Sequence, residues 1–499
     1  MDHPGWFVRK LHFAATKDGI MKDERCDVLV VGAGPAGLAI GAELCREHQV
    51  VVVDYKQELG ATNKSWLVPA FVLRDYAPEL LSAEVEGESL VDGVGLRRFL
   101  TMTLNTRTRQ MSRCEWPSEL EHGYYFAKEH RVLEYFGQRI AKEGAERGSR
   151  VELGTTFFDH RVLTRGTHPV QAQTSRGRIE ARLLIDASGP ESMIRAKYDR
   201  LPKPQRWWSV YGGLYHHPHG FGSDHWGKPM LEGDYLLWGT FKDTNPDVNL
   251  SLEGGHPVFE YELFTGNVSF PMVLYLRTSR VPKEVMKAEF EHIIRQEEFA
   301  SPFRDCQERE PKWGWYPSGI GSSRFAEDHV LFVGTAGNWN APCGWGATFI
   351  LGHYIQYAKR IDRLLHGGAL HRRHLEKILR FPPAGAAQRV TDDIVVQFFA
   401  CAPARLINKF IGLFGDDPGQ IPFIYCERLF TLSLRPEDLV FMIPRCIKHF
   451  SLAELVQIIP PRLMPRLIAD MLALGMESAA TVLRRLLHRS RPSRHGLIW

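Results

Sequence analysis

Residues Cys26 to Asp54 read CDVLVVGAGPAGLAIGAELCREHQVVVVD, and this stretch decides the fold. A run of Val and Leu reaches Gly32-x-Gly34-x-x-Gly37, a helix-forming segment follows, and a second apolar run ends in Asp54. Strands buried on both faces of a parallel sheet read as continuous apolar runs of this kind. The glycines have separate tasks. Gly32 permits a tight turn, Gly34 admits a close backbone approach to a pyrophosphate, and Gly37 lets helix and strand pack closely. Pro35 and Ala36 open the helix, whose N–H groups and dipole favour an anion. Asp54 falls about 20 residues on, where a carboxylate takes the hydroxyls of an adenosine ribose. The pattern predicts an α/β, doubly wound dinucleotide-binding domain in which Gly32, Gly34, Pro35, Ala36, Gly37 and Asp54 lie against the cofactor.

Two later strand ends extend this reading. RLLIDASGPES is an apolar run ending in a turn with Asp186, Ser188 and Gly189, followed by Ser192 and Arg195. HVLFVGTAGNWNAPCGWGATFIL ends a strand at Gly334 and leads through Gly337, Gly344 and Gly346 into a helix. One nucleotide half-fold needs only the first turn. Three such turns suit a long cofactor crossing the carboxyl edge of the sheet. For FAD, the last helix would aim its N-terminal dipole at the isoalloxazine ring. Glycines also mark flexible loops, so Gly334 to Gly346 has that second reading.

Composition bounds the rest. The chain has 499 residues, enough for two or three packed regions. A net charge of +4, with no basic stripe interleaved with aromatics, argues against nucleic acid. The eight cysteines are scattered without a CxxC pair, which reads as a reduced, cytoplasmic protein with no metal centre. His216, His217 and His219 have no companion ligand at usual spacing. No signal peptide or uninterrupted apolar span is visible.

Along the chain, 1–25 is a polar arm, and 26–200 together with 310–368 form the nucleotide-binding domain. HRVLEYFGQRIAKEG carries Val132, Leu133, Phe136 and Ile140 at helical spacing with a stop at Gly144. Residues 201–309 read as an inserted antiparallel sheet for a substrate, rich in aromatics from Trp207 and Trp208 to Trp238 and Phe241. Such a pocket suits an apolar small-molecule substrate, although ordinary core packing explains aromatics equally. Residues 369–499 are a helical C-terminal region ending in a basic tail with Arg484, Arg485, Arg489, Arg491 and Arg494. Basic amphipathic helices either lie peripherally on a membrane surface or cap a domain.

The three turns in this order resemble the FAD-binding domain of the flavoprotein group that holds aromatic hydroxylases, flavin halogenases, geranylgeranyl reductases and lycopene cyclases. Ser188 stands where hydroxylases usually have Asp. SWLVP, PVFEYELFTGNVSFPMVLYLRTSRVP, WGWYPSG, NAPCGWGATF and FIYCERLFTLSLRPEDLVFMI are similar to the divergent bacterial branch of the lycopene cyclase family. The resemblance implies proton-driven cyclisation of an isoprenoid or carotenoid-like polyene, with reduced FAD stabilising a cation and no net redox change. With no second GxGxxG unit, reduction is expected from NAD(P)H or a separate flavin reductase. Where those cyclases carry paired acids, this chain has Tyr275-Leu276-Arg277-Thr278-Ser279, placing Arg277 at the catalytic position. A guanidinium cannot donate that proton, because its pKa is too high. Glu260 and Glu262 alternate onto one strand face nearby and are the candidate proton donors, provided an apolar pocket raises their pKa. Otherwise they are a solvated pair.

Two other readings stand beside the cyclase. One is an FAD-dependent monooxygenase, reductase or halogenase acting on a lipophilic or secondary metabolite; Trp313-x-Trp315 resembles a tryptophan-rich halogenase motif, with Lys64 near the position of a halogenase lysine. The other is a flavin-binding protective protein without polyene turnover.

Overall fold

The computed structural model describes residues 24–60, 65–94, 98–104, 111–117, 124–198, 206–239, 257–318, 325–337, 346–379 and 436–458, with isolated positions between 406 and 472. The polar arm (but for Glu24 and Arg25), Lys64, Phe241, Gly344 and the basic tail lie outside the described residues, as do the side chains of Tyr235 and Trp238.

An eight-stranded sheet carries the nucleotide-binding half. Its parallel core runs Arg150–Leu153, Val50–Asp54, Glu24–Val31, Gly177–Asp186 and Val330–Phe332, in that spatial order. The apolar runs of the sequence lie in four of these strands, where Val28 to Val31, Val50 to Val53, Leu183 to Ile185 and Val330 to Phe332 are buried because both faces are covered, whereas Arg150–Leu153 at the edge is only partly buried. Val28, Val30, Val50, Val52 and Ile185 pack beneath the helices Pro35–Leu44, Glu129–Glu143 and Gly346–His366. Leu29, Val31, Val51, Val53 and Leu184 alternate to the other face, packing with Ile194. The helix Glu129–Glu143 ends at Gly144, as the sequence spacing predicts.

The second half is a seven-stranded sheet in the order Gln307–Ser318, Arg206–His216, Val268–Arg277, Val258–Phe264, Asp234–Gly239, Arg98–Leu104 and Met111–Pro117. Its central hairpin turns at Gly266 and Asn267, which take φ of 71° and 57°; left-handed residues match the strand twist at such turns. The sheet draws on more of the chain than 201–309. Arg98–Leu104 and Met111–Pro117 come from within 26–200, and most of Gln307–Ser318 comes from within 310–368. The physical reason is that edge strands of a sheet need only a free hydrogen-bonding edge, whatever their place in sequence.

A helix over Lys283–Gln296 and the turn Glu298–Phe303 back one face of this sheet. Tyr211, Tyr215, Phe259, Tyr261, Tyr275 and Phe290 form that core. The opposite face meets the nucleotide-binding half through Phe264 and Phe270, which pack on Phe126 at ring-centroid distances of 4.8 and 6.4 Å. Phe126 lies on Tyr124–Lys128, which pairs with Ser65–Pro69 in a small third sheet. In the C-terminal region the helices Pro436–His449 and Leu452–Ile458 are described. No helix among the described residues is long and apolar enough to cross a membrane.

Candidate active site

The carboxyl ends of the parallel strands meet at one edge, and backbone hydrogen bonds fix the three glycine turns to one another. Ala187 N–H donates to Val31 O at 2.8 Å, and Val333 N–H donates to Asp186 O at 2.9 Å. Gly32 has φ +108°, and a Cβ there would stand 2.3 Å from the Ala187 carbonyl oxygen. A Cβ on Gly37 would stand 2.1 Å from Gly32 O. Only glycine fits either place.

Gly34 differs. It caps the helix Pro35–Leu44 with φ −84°, and a Cβ there would meet nothing within 4 Å. The helix start has Pro35 in its first turn, no acidic residue and no side-chain cap. A bare helix N-terminus beside an open glycine is a cradle for an anion. Asp54 spans this cradle: Oδ2 accepts from Ala33 N–H at 2.7 Å and Oδ1 from Lys56 N–H at 2.9 Å. A carboxylate has about four lone-pair sites, so two backbone bonds leave room for ribose hydroxyls.

Asp186 organises the second turn from within. It is fully buried and accepts from Ser188 Oγ at 2.6 Å, from Ser188 N–H at 3.1 Å and from Ser192 Oγ. Burial raises its pKa, against the opposing bonds from both serines. Its carboxylate therefore shapes the turn that presents Gly189, where φ is +91° and the space beyond is open. Ser192 passes the order on, accepting from Arg195 N–H at 2.9 Å, and Arg195 Nη1 donates to Ala336 O in the third turn at 3.1 Å. Gly337 is buried in that third turn, Gly334–Gly337, and Gly346 starts the following helix. These residues fit a dinucleotide: the cradle is open at Gly34 and Gly189 and closed by backbone at Gly32 and Gly37.

The second part of the site lies on the antiparallel sheet. Val258–Phe264 is buried throughout, including Glu260 and Glu262. Strand alternation puts both acids on the face shared with Phe264, away from the helix-backed core of Phe259, Tyr261 and Leu263. Glu260 is paired across the ladder with Met272 and Glu262 with Phe270, the residue that touches Phe126 of the nucleotide-binding half. Both acids thus face the side where the two halves meet. Burial, with the Glu260 charge adding to it, raises the Glu262 pKa well above the ordinary carboxylate range. Glu262 Oε2 has no hydrogen-bond partner among the described residues. A solvated acid pair is excluded by this burial.

Arg277 does not join them. Its guanidinium lies 4.9 Å from the ring centroid of Tyr275, a residue of the helix-backed core. Odd-numbered residues of Val268–Arg277 take that face, so alternation separates Arg277 from Glu260 and Glu262. The tryptophans of Trp313-x-Trp315 also sit on the helix side. Trp315 donates to Val281 O at 2.8 Å, and Lys283 lies 4.6 Å from the Trp313 ring. Tyr211, Tyr215 and Trp226 pack in or against the same core, which is the ordinary role for such aromatics. His217 is held by Ser269 Oγ at 2.8 Å and Cys306 Sγ at 3.2 Å, with its pKa lowered by burial to about 4.

No protein family and no curated protein matches the sequence. Solved structures do. Halogenase PltM has a TM-score of 0.58 at 13% identity, covering 94% of this chain and 93% of its own. A geranylgeranyl bacteriochlorophyll reductase-like protein from Thermoplasma acidophilum has a TM-score of 0.57 at 12% identity, covering 79% and 92%. The flavin-dependent brominase Bmp2 has a TM-score of 0.56 at 15% identity, covering 82% and 93%. The fold is that of the FAD-binding flavoproteins. The likeness spans redox enzymes of several chemistries, and no cyclase is among these three.

Sequence reading had no signal for one cluster. His48, Asp362 and His366 come together at the far ends of two helices, where an isolated His at the end of one segment carries no spacing pattern toward the other.

Proposed function

We propose that the protein is an FAD-dependent enzyme that protonates a long apolar, isoprenoid-type substrate, with Glu262 as the proton donor. The observation behind this reading is the buried Glu262 carboxyl, unpartnered at Oε2 and set beside Glu260 on the face turned to the nucleotide-binding half. A carboxyl whose proton is held more tightly by burial and by a neighbouring acid is suited to act as a general acid.

Gly32, Gly34, Pro35, Ala36, Gly37 and Asp54 would hold the adenosine and pyrophosphate end of FAD, and the turns at Gly189 and Gly334–Gly337 with the helix from Gly346 the remainder. Reduced FAD, when bound, supplies electron density that stabilises a nearby cation. Glu262 gives its proton to a substrate double bond, and Glu260 disfavours a lasting negative charge on it. The apolar row of Met272, Leu274 and Leu276 on the same face excludes water from the resulting cation. Loss of a proton from a neighbouring carbon back to the protein gives a product isomeric with the substrate, so no reductant is consumed.

The second reading, an FAD-dependent halogenase, monooxygenase or reductase with NAD(P)H or a separate reductase as electron source, is favoured by the structural likenesses. Peripheral contact with a membrane, from which a lipophilic substrate would be drawn, is supported by exposed Ile447, Leu452 and Val456 close to Lys448.

The deciding experiment uses purified, anaerobically reduced protein with lycopene in liposomes. A cyclised product of unchanged mass, formed without flavin oxidation and abolished by Glu262→Gln, supports the first reading. One flavin oxidised per product with two hydrogens gained, or a product carrying oxygen or halogen once air and halide are admitted, replaces it with the second. Bound FAD without any product favours a protective flavin-binding role.

A further inference from the structure

The helices Pro35–Leu44 and Gly346–His366 both begin at the cofactor edge and pack together in one core, so their C-terminal ends emerge together on the opposite side. His48 stands just beyond the first helix. Asp362 and His366 are one turn apart at the end of the second and so share a helix face. His48 Nε2 lies 2.8 Å from Asp362 Oδ1, and His366 Nδ1 lies 3.0 Å from the same oxygen. One donor atom from each residue falls within 4.8 Å of the others.

We propose that His48, Asp362 and His366 form a site for a divalent transition metal of the zinc class, tying together the two helices that carry the cofactor turns. Two imidazoles and one carboxylate are a donor set for Zn²⁺, Co²⁺ or Ni²⁺, and a harder ion such as Mg²⁺ would want more oxygens. Ligands about 2.1 Å from an ion in a tetrahedral set stand about 3.4 Å apart. The two nitrogen–oxygen separations, 2.8 and 3.0 Å, are those of hydrogen bonds and fall a few tenths of an ångström short of that, so cation entry requires loss of the bridging protons and a small spreading of the side chains. His48 is buried and fixed in place, whereas His366 is 62% exposed, which gives an ion an entry path and water for its remaining positions.

The local field has the right sign. The helix Gly346–His366 ends here, and carbonyls at a helix C-terminus favour a cation. Asp27 is close by: against burial, which raises its pKa, the Gln49 N–H, Arg182 and His48 together hold its carboxyl below the ordinary value. The nearby cation Arg182 is committed to Asp27 Oδ1 at 3.2 Å and to the Leu365 carbonyl. The site is remote from the glycine turns, so its role is to fix helix ends rather than to take part in turnover.

The test uses full-length protein, freed of metal by a chelator and titrated with Zn²⁺ by calorimetry and with Co²⁺ by visible absorbance. One saturable equivalent is expected, with a rise in thermal midpoint on metal addition. His366→Ala and Asp362→Asn each weaken it by about a hundredfold or more and abolish the rise, while circular dichroism and flavin content stay unchanged. His371→Ala, an exposed histidine outside the cluster, retains wild-type binding. The proposal is overturned if no single equivalent saturates, if both cluster variants bind as tightly as wild type, or if His371→Ala loses binding equally.

Discussion

Gly334 and Ala36 lie against each other across the cofactor edge: a Cβ on Gly334 would stand 2.7 Å from the Ala36 methyl. Gly334 also has φ +57°, a left-handed conformation costing other residues about 1–2 kcal/mol. Gly334→Ala is therefore strained twice, by backbone and by contact with the first turn of the neighbouring helix. The expected result is a thermal midpoint lower by a few degrees and FAD affinity reduced by about tenfold. Differential scanning and flavin titration of the apoprotein measure both.

The first turn separates stability from binding at two of its glycines. Gly32→Ala drives a methyl into the Ala187 carbonyl at φ +108°, which should prevent stable folding. Gly34→Ala places a methyl in open space at an ordinary φ of −84°. Its thermal midpoint without flavin should match wild type, while FAD affinity falls by about a hundredfold because the methyl occupies the pyrophosphate's approach. Equal FAD affinity in Gly34→Ala would show that the cradle does not serve a pyrophosphate.

Glu262→Gln removes the acidic proton and keeps shape and burial. With Glu262 as general acid, turnover falls by about a hundredfold or more, while bound FAD and its reduction by an external donor stay as in wild type. Arg277→Gln, on the other face of the sheet, leaves turnover within about twofold, the scale of a change with no part in the transition state. A reversal of that ranking would move the catalytic position back to where the family resemblance puts it.

The parts of this fold legible in sequence were those governed by local backbone needs. The valine runs, the glycine turns and the stop at Gly144 each follow from burial or from a conformation that few residues adopt. What depends on strand pairing was not legible. Neither the recruitment of Arg98–Leu104 into the substrate sheet nor the face taken by Arg277 is written in any short stretch. The Glu260 and Glu262 pair lay between these cases: alternation predicted a shared face, but their burial is set by strands on both sides and by Phe126 from the other half. The motif sets Asp186 in the second cofactor turn, and its serine partners give it the further task of shaping that turn.

That task is testable. Asp186→Ala deprives Ser188 Oγ, Ser188 N–H and Ser192 Oγ of their common acceptor. Ser192 is buried, and leaving its donor unsatisfied costs about 1–3 kcal/mol, whereas the exposed Ser188 can turn to water. The turn should loosen, with Arg195 released from Ala336 as a consequence. Both a lower thermal midpoint and loss of FAD are expected, followed by calorimetry and by flavin fluorescence. Ser192→Ala, which removes one bond and the helix cap, should give a milder form of the same loss.

Protonation of buried groups gives pH dependences of opposite sign. His160 and His217 are pushed down from 6.5 to about 4 by burial. Between those values the unfolded chain takes up protons that the folded chain refuses, so their contribution falls as pH drops from 6.5 toward 4. Glu262 is pushed the other way by burial and Glu260, above its ordinary 4.5. The folded chain then keeps a proton that the unfolded chain releases, so its contribution is full at low pH and is lost as pH rises through the raised value. The stability of His217→Gln relative to wild type should therefore improve on acidification. That of Glu262→Gln relative to wild type should improve as pH rises. Thermal midpoints of the three proteins from pH 4.5 to 8.5 give both difference curves, and a flat curve for Glu262→Gln would mean that Glu262 ionises as freely folded as unfolded.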